Sequence, residues 1–184
     1  MADPKDFTLF SGGAGGAEAF FGELAEKHGV NEVNYSFEGH QVARTRGERI
    51  LTPEELERKD VSLTYVSKLL NRRFTNAPLM RKVLQTIMYM VESGHEIFVV
   101  GTIQDDDTVK GGTGWGAEFA KICNKPLFVF GQKRNAWFKW NKDAWVEVQN
   151  PVITHRHFTG TGTRFLEDNG KQALEALFER SFGS

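Results

Sequence analysis

Three glycine-rich segments, each lying between an apolar run and a helical pattern, have the residue types best suited to bind an anion. They are SGGAGG at 11–16, KGGTGWG at 110–116 and TGTGTR at 159–164. The first N–H groups of a helix lack partners within it, and the helix dipole adds partial positive charge there. Glycine lets a phosphate approach the backbone because no Cβ intervenes. The segments therefore predict a nucleotide or phosphate-ester site, although purely structural turns would use the same residues.

The predicted binding residues are taken from these segments and from the helix after the first one. Glu18 would hydrogen-bond a ribose hydroxyl or cap its helix, and Trp115 would contact the base or shield the sugar. Arg164 would complete a phosphate cradle, or pair with a neighbouring carboxylate. The full set is Ser11, Gly12, Gly13, Gly15, Gly16, Glu18, Gly111, Gly112, Thr113, Gly114, Trp115, Gly160, Thr161, Gly162, Thr163 and Arg164.

A second group of polar residues, FEGH at 37–40, follows an apolar run that reads as a strand. Glu38 and His40 could reach the same edge of the sheet, and His40 could transfer a proton because the ordinary pKa of histidine is about 6.5. A plain loop histidine has the same sequence pattern.

Asp105, Asp106 and Asp107 are consecutive, which is typical of a solvated loop, so we expect no metal and no cofactor.

Short apolar runs alternate with longer helical patterns along the chain. We predict strands at 7–10, 32–37, 96–100, 126–130, 145–148 and 153–158. We predict helices at 16–28, 53 to about 74, 78–92, 115–123 and 167–181. This alternation indicates an α/β fold, a single Rossmann-like domain over residues 1–184 with a mainly parallel sheet flanked by helices. In such a sheet the glycine turns meet at the carboxyl edge.

The glycine segments resemble the SLOG superfamily, which includes DNA-processing protein A and the Lonely Guy (LOG) phosphoribohydrolases. SGGAGGAEAF at 11–20 is similar to the SGGA segment of that superfamily, and KGGTGWGAE at 110–118 is similar to the PGG-x-GT-x-x-E motif of LOG enzymes. An Arg-Lys pair, Arg81-Lys82, stands where LOG enzymes carry one. The departures are Lys110 for proline, Trp115 for threonine, Ala117 for the first of two glutamates, and an acidic insertion at 102–110.

The resemblance implies hydrolysis of the N-glycosidic bond of a nucleoside 5′-monophosphate or related nucleotide. Glu118 would assist an oxocarbenium-like transition state, and Arg81 would bind phosphate or the leaving base. A helix-terminal carboxylate and a solvent-facing arginine would explain the same two residues. The alternative functions are a non-catalytic sensor of a nucleotide signal and a nucleic-acid-binding module related to DNA-processing protein A. In the superfamily a β–α unit precedes the SGGA strand, and the C-terminal segment from 157 resembles it, which implies a circular permutation.

Composition sets further expectations about location and partners. The formal net charge of −1 over 184 residues argues against extended nucleic-acid binding. The N-terminus lacks a signal-peptide pattern, no apolar run is long enough for a membrane span, and one cysteine is present, so we expect a cytoplasmic protein. Trp137, Phe138 and Trp140 offer an aromatic surface that a second copy of the chain could cover, and related proteins are often dimers, so we expect a homodimer.

Overall fold

A computed structural model describes residues 2–183, whose strands join one mostly parallel sheet. The eight strands are β1 Thr8–Ser11, β2 Asn31–Phe37, β3 Glu48–Leu51, β4 Glu96–Val100, β5 Leu127–Gly131, β6 Ala136–Asn141, β7 Ala144–Val148 and β8 His157–Gly162. Their order across the sheet is β3-β2-β1-β8-β4-β5-β6-β7. The first six in this order are parallel, and β6 and β7 add an antiparallel hairpin at one edge.

Helices cover both faces of the sheet, which confirms the α/β, Rossmann-like prediction. They are α1 Ala17–His28, α2 Pro53–Glu57, α3 Asp60–Leu70, α4 Pro78–Ser93, α5 Thr113–Ile122 and α6 Asp168–Phe182. Strand β4 shows why a central strand is apolar throughout. Ile97 and Val99 pack with α3, α4 and α5 on one face, while Phe98 and Val100 pack with α1 and α6 on the other.

The predicted helix from 53 to about 74 is two shorter helices. Thr52 caps α2 with a reciprocal capping box to Glu55, as its position before Pro53 suggests. The helix then ends because the Lys59 N–H donates to the Leu56 carbonyl three residues back, which closes a tight turn. Helix α3 ends before Asn71, which adopts the left-handed conformation (φ 53°) that asparagine tolerates.

The strand predictions missed two strands and shifted a third. Edge strand β3 is mostly exposed and lacks an alternating apolar pattern, and β6 was not predicted as a strand. The predicted strand at 153–158 is β8, His157–Gly162, whose two glycines lower β-propensity. Close packing favours glycine here, because a Cβ on Gly160 would collide with the ring of Phe21. β8 pairs with β1 on one side and β4 on the other, although it is last in the chain.

The two ends of the described chain lie side by side. The rings of Phe7, just before β1, and Phe182, at the end of α6, have centroids 5.0 Å apart. Helix α6 thus returns the chain from central strand β8 to its neighbour β1. Within residues 2–183, no helix is both long and apolar enough to span a bilayer.

Candidate functional site

A cleft of about 490 Å³ opens at the carboxyl ends of the central parallel strands. It is lined by Gly12 after β1, Gly162 at the end of β8, Gly101 after β4 and Gln132 after β5. The chain leaves β8 toward α6 on one face of the sheet and leaves β4 toward α5 on the other. A crevice between neighbouring strands whose connections diverge in this way is the usual ligand site of an open α/β sheet.

All three glycine segments reach this cleft, as the sequence predicts for turns at one edge. The first contributes Gly12, and the second forms the N-terminus of α5. The third supplies the end of β8 and the loop after it. The predicted residues that line the cleft are Gly12, Glu18, His40, Gly111, Gly112, Thr113, Thr161, Gly162, Thr163 and Arg164.

Several of the other predicted glycines and Ser11 hold the turns in place instead of lining the cleft. The Ser11 hydroxyl donates to the Gly160 carbonyl at 2.6 Å and joins β1 to β8. Gly13 (φ 71°) presents its carbonyl to the N–H groups of Ala43 and Arg44. Gly16 has φ 90°, and a Cβ there would collide with the Thr163 backbone. These residues shape the turns through backbone conformation and close approach.

Four other residues that the sequence analysis predicted for the site also lie off the cleft. Gly15 has open space around it, and Gly114 packs against the Val109 carbonyl. Glu38 is exposed. Trp115 is only 5% exposed and packs in the core, with its ring centroid 6.1 Å from that of Phe74. Its spacing of four from the buried Phe119 on α5 explains why it faces inward.

Glu118 and Arg81, the residues that the resemblance implies as catalytic, do not line the cleft. Glu118 lies on α5 with its Oε2 atom 3.3 Å from Lys121 Nζ. Arg81 donates to Asp60 at 2.7 Å, and its guanidinium carbon lies 4.6 Å from the centroid of the Phe74 ring. Arg81 therefore has structural partners in this conformation, whereas Glu118 has an ion pair with Lys121 but no hydrogen bond to its buried Oε2 atom. Their catalytic roles stay predictions.

Glu18 is the buried carboxyl group that faces the cleft. It lies in the first turn of α1, and only 8% of the residue is exposed. The Thr161 hydroxyl donates to Oε2 at 2.6 Å, and the Ala14 N–H donates to Oε1 at 3.3 Å. Burial raises the pKa of Glu18, against the hydrogen bonds from Thr161 and Ala14 and the charge of Arg164. A raised pKa makes the protonated acid more accessible near neutral pH, so Glu18 could donate a proton as well as accept a hydrogen bond.

His40 lines the cleft from the loop after β2. Its Nδ1 atom lies 3.1 Å from the Ser36 hydroxyl, and its ring stacks on Phe37 with centroids 4.3 Å apart. Burial lowers the pKa of His40, and the positive charge of Arg164 lowers it further. The imidazole is therefore neutral at neutral pH and able to accept a proton.

The cleft walls combine charge with apolar surface. Lys110, Lys133 and Arg164 supply positive charge, Glu167 supplies negative charge, and Glu18 adds a carboxyl group whose pKa is raised. Helix α5 adds the partial positive charge of its N-terminus beside Gly112. Helix α4 forms an apolar wall with Met80, Val83, Ile87 and Met90. Such a mixture suits a ligand that has an anionic end and an apolar or aromatic part.

Sequence reasoning missed Gln132, Lys133 and Phe165 as cleft residues. Gln132 and Lys133 directly follow the apolar run LFVFG, so their place at the carboxyl end of a buried strand was readable from the pattern. Phe165 is 83% exposed, and its neighbour Arg164 was predicted as a cleft residue. An aromatic residue beside a predicted phosphate turn was the signal that could have found it.

Comparison of the chain with models of protein families, with curated proteins and with solved structures finds no match. The resemblance to the SLOG superfamily therefore stays a prediction that rests on the motifs alone. Within residues 2–183, no three His, Cys, Asp or Glu side chains are grouped as a metal site would require.

Proposed function

We propose that the protein binds a nucleotide, or a related phosphate ester of a nucleoside, in the cleft and hydrolyses its N-glycosidic bond. The observation that carries this proposal is the buried Glu18 carboxyl group facing a cleft formed by three glycine turns. Glycosidic cleavage commonly uses a carboxyl group with a raised pKa as the general acid, and Glu18 is such a group.

The anionic end of the ligand would lie at the N-terminus of α5. Gly111 and Gly112 leave the backbone accessible there, and Lys110 and Arg164 bring positive charge to the same cleft. Backbone N–H groups, the helix dipole and a planar guanidinium together favour a phosphate over a neutral group. The sugar would then lie between this end and Glu18.

In the proposed reaction Glu18 acts as the acid and His40 as the base, and the shifts of their pKa values have the directions that keep the first protonated and the second neutral. When the bond between C1′ and the base nitrogen breaks, its electron pair stays on the base, and protonated Glu18 donates a proton to that nitrogen. Water adds to C1′ and gives a proton to neutral His40, and the products are free base and ribose phosphate. The raised pKa of Glu18 increases the fraction that carries the proton to be donated, and the lowered pKa of His40 keeps its imidazole neutral before the step.

The sheet order supports a circular permutation of the fold. In the superfamily the strand that resembles β8 comes first in the chain, and here it lies beside β1, the strand before SGGAGG. The 5.0 Å contact between Phe7 and Phe182 shows that a short linker could join the ends. A variant with the ends linked and a new N-terminus between β7 and β8 should melt within a few degrees of the natural order. Failure of that variant to fold would contradict the permutation.

A non-catalytic sensor is the second candidate function, because Glu118 pairs with Lys121 off the cleft. A sensor would bind the same ligand and release it unchanged. The nucleic-acid alternative is less favoured, since the chain has a net charge of −1 and phosphate contacts by Lys and Arg dominate such binding.

The test is a thermal-shift panel followed by chromatography of each mixture. The panel holds nucleosides, nucleoside mono-, di- and triphosphates, ADP-ribose, nicotinamide dinucleotides and single-stranded DNA. A ligand at 100 times its Kd stabilises by about 2.7 kcal/mol, which raises Tm by roughly 5–11 °C for a chain of this size. We expect free base from the wild type, and at least about 100-fold less from Glu18→Gln, the usual scale of acid–base catalysis.

Glu118→Gln is the matched control, and Glu18→Gln must still show a ligand-induced shift. Loss of base release in Glu118→Gln but not in Glu18→Gln would assign catalysis to the motif glutamate and contradict the role given to Glu18. A thermal shift with the ligand recovered intact would establish the sensor. No shift with any nucleotide would overturn nucleotide binding, and a steep salt dependence with DNA would favour the nucleic-acid module.

A further inference from the structure

The ring of Phe165 is the most exposed large apolar side chain in residues 2–183, and it lines the cleft. The residue is 83% exposed, whereas Leu166 next to it packs against the core formed by α1, α6 and the sheet. Arg164, on its other side, lines the cleft as well. One short loop after β8 therefore presents a cation and an aromatic ring to the same space.

The backbone that carries this ring is held in place by hydrogen bonds. The Phe165 N–H donates to Thr163 Oγ1 at 3.0 Å, and Gln132 Nε2 donates to the Phe165 carbonyl at 3.1 Å. Gln132 Oε1 accepts from the Glu167 N–H at 2.6 Å. Gln132 thus joins the end of β5 to the Phe165 carbonyl and to the Glu167 N–H that follows it. A ring on a fixed backbone binds a flat partner without the entropic cost of ordering a loop.

We propose that the base of the bound nucleotide stacks on Phe165. This inference rests on the proposed function and extends it by naming the residue that distinguishes a nucleotide from a sugar phosphate. The neighbouring cations and the N-terminus of α5 would hold the phosphate of either ligand, but only a base covers the exposed ring. Stacking uses the face of the base, which all bases share, so Phe165 provides affinity for bases without strong discrimination among them.

The test compares ligands with and without a base on Phe165→Ala. Calorimetric titration would use AMP, GMP, CMP and UMP against ribose 5-phosphate, with Glu18→Gln as the background if the wild type cleaves the probes. Loss of one base–aromatic stack should lower the affinity for each nucleotide by about 5- to 150-fold. The affinity for ribose 5-phosphate should stay within about twofold, and Phe165→Trp should retain the affinity for nucleotides, because a larger ring still stacks.

The control is Tyr65→Ala, which removes an exposed aromatic side chain (58% exposed) from α3, away from the residues that line the cleft. It should leave all affinities unchanged. Unchanged nucleotide affinity in Phe165→Ala would overturn the stacking role while the proposed function stands. An equal loss of affinity for nucleotides and ribose 5-phosphate would mean a distorted loop and would also overturn the stacking role. Absence of binding to the unaltered protein would overturn the proposed function itself.

Discussion

The Arg44 side chain joins the loop after β2 to Glu32 on the sheet and to Glu26 on α1, and its removal tests how that loop is held. Its Nε and Nη2 atoms donate to the two carboxylate oxygens of Glu32 at 2.6 and 2.8 Å, and Nη2 also lies 2.7 Å from Glu26. The Arg44 N–H and that of Ala43 bond to the carbonyl of Gly13, next to the cleft. The arginine side chain therefore fixes the loop that carries His40, and the backbone of that loop holds the turn after β1.

The expected cost of Arg44→Met follows from the burial of its partner. The Glu32 side chain is fully buried, and removing one partner from a buried ion pair costs about 3–5 kcal/mol. Arg46 and Asn34 still donate to Glu32, at 3.0 and 2.6 Å, so we expect the lower end of that range, about 3 kcal/mol. For a chain of this size Tm should fall by roughly 6–12 °C.

The assay is urea unfolding of Arg44→Met beside Arg49→Met. Arg49 pairs with Glu55 at 2.7 Å, but about half of its side chain is exposed, so its loss should cost less than about 1 kcal/mol. Methionine keeps the apolar stem in both variants, which isolates the charge and its hydrogen bonds. Equal losses in the two variants would refute the argument that burial of Glu32 sets the cost.

The pH dependence gives a second check on the same pair. Burial raises the pKa of Glu32, but hydrogen bonds from Arg44, Asn34 and Arg46 outweigh it and hold the pKa below its ordinary value of 4.5. A carboxyl group with a lowered folded pKa contributes stability that is present above pH 4.5 and lost as the pH falls through the folded value. The cost of Arg44→Met should thus be full at pH 7 and shrink below pH 4.5. A constant cost across this range would contradict the ion-pair explanation.

Two further predictions concern the cleft itself. Glu18 has a raised folded pKa, so the wild type should lose stability relative to Glu18→Gln as the pH rises above 4.5, and exposed Glu23→Gln on the same helix serves as the control. Urea unfolding from pH 4 to 8 measures the free energy of unfolding of each protein. A difference in that free energy that stays constant with pH would contradict the burial of an ionised Glu18. Gly162→Ala should lower the free energy of unfolding by more than about 3 kcal/mol, because its Cβ would collide with the Val100 backbone. Gly15 has open space around it, so Gly15→Ala should change that free energy by less than about 0.5 kcal/mol. Similar melting temperatures of the two variants would show that the central strands can move apart.

The coarse fold and the position of the cleft were readable from the sequence. Apolar runs such as 96–100 and 126–130 identify buried strands, and the glycine turns after them identify the carboxyl edge of the sheet. The place of β8 was not fixed by local pattern, because pairing between Thr8 and His157 depends on packing across the whole domain. The circular order was inferred only through the resemblance, and it stays a proposal.

Which carboxyl group lies in the cleft also depended on the tertiary structure. Glu18 and Glu118 both follow glycine turns, and the sequence analysis predicts Glu118 as the catalytic residue and Glu18 as a ribose ligand or helix cap. The two helices pack on opposite faces of the sheet, and their rotation about their own axes decides which side chain faces the ligand space. Glu18 meets Thr161 at the end of β8, whereas Glu118 lies beside Lys121.

The sequence by itself determined an α/β sheet with helices on both faces and glycine turns that meet at its carboxyl edge, because strand and helix periods and glycine positions are local properties of the chain. The tertiary structure alone decided that β8 lies between β1 and β4, that Trp115 is buried while Phe165 is exposed, and that Glu118 lies off the cleft that Glu18 faces. Those outcomes depend on how distant segments pack and on the side of each helix that the core requires, which no short stretch of sequence encodes.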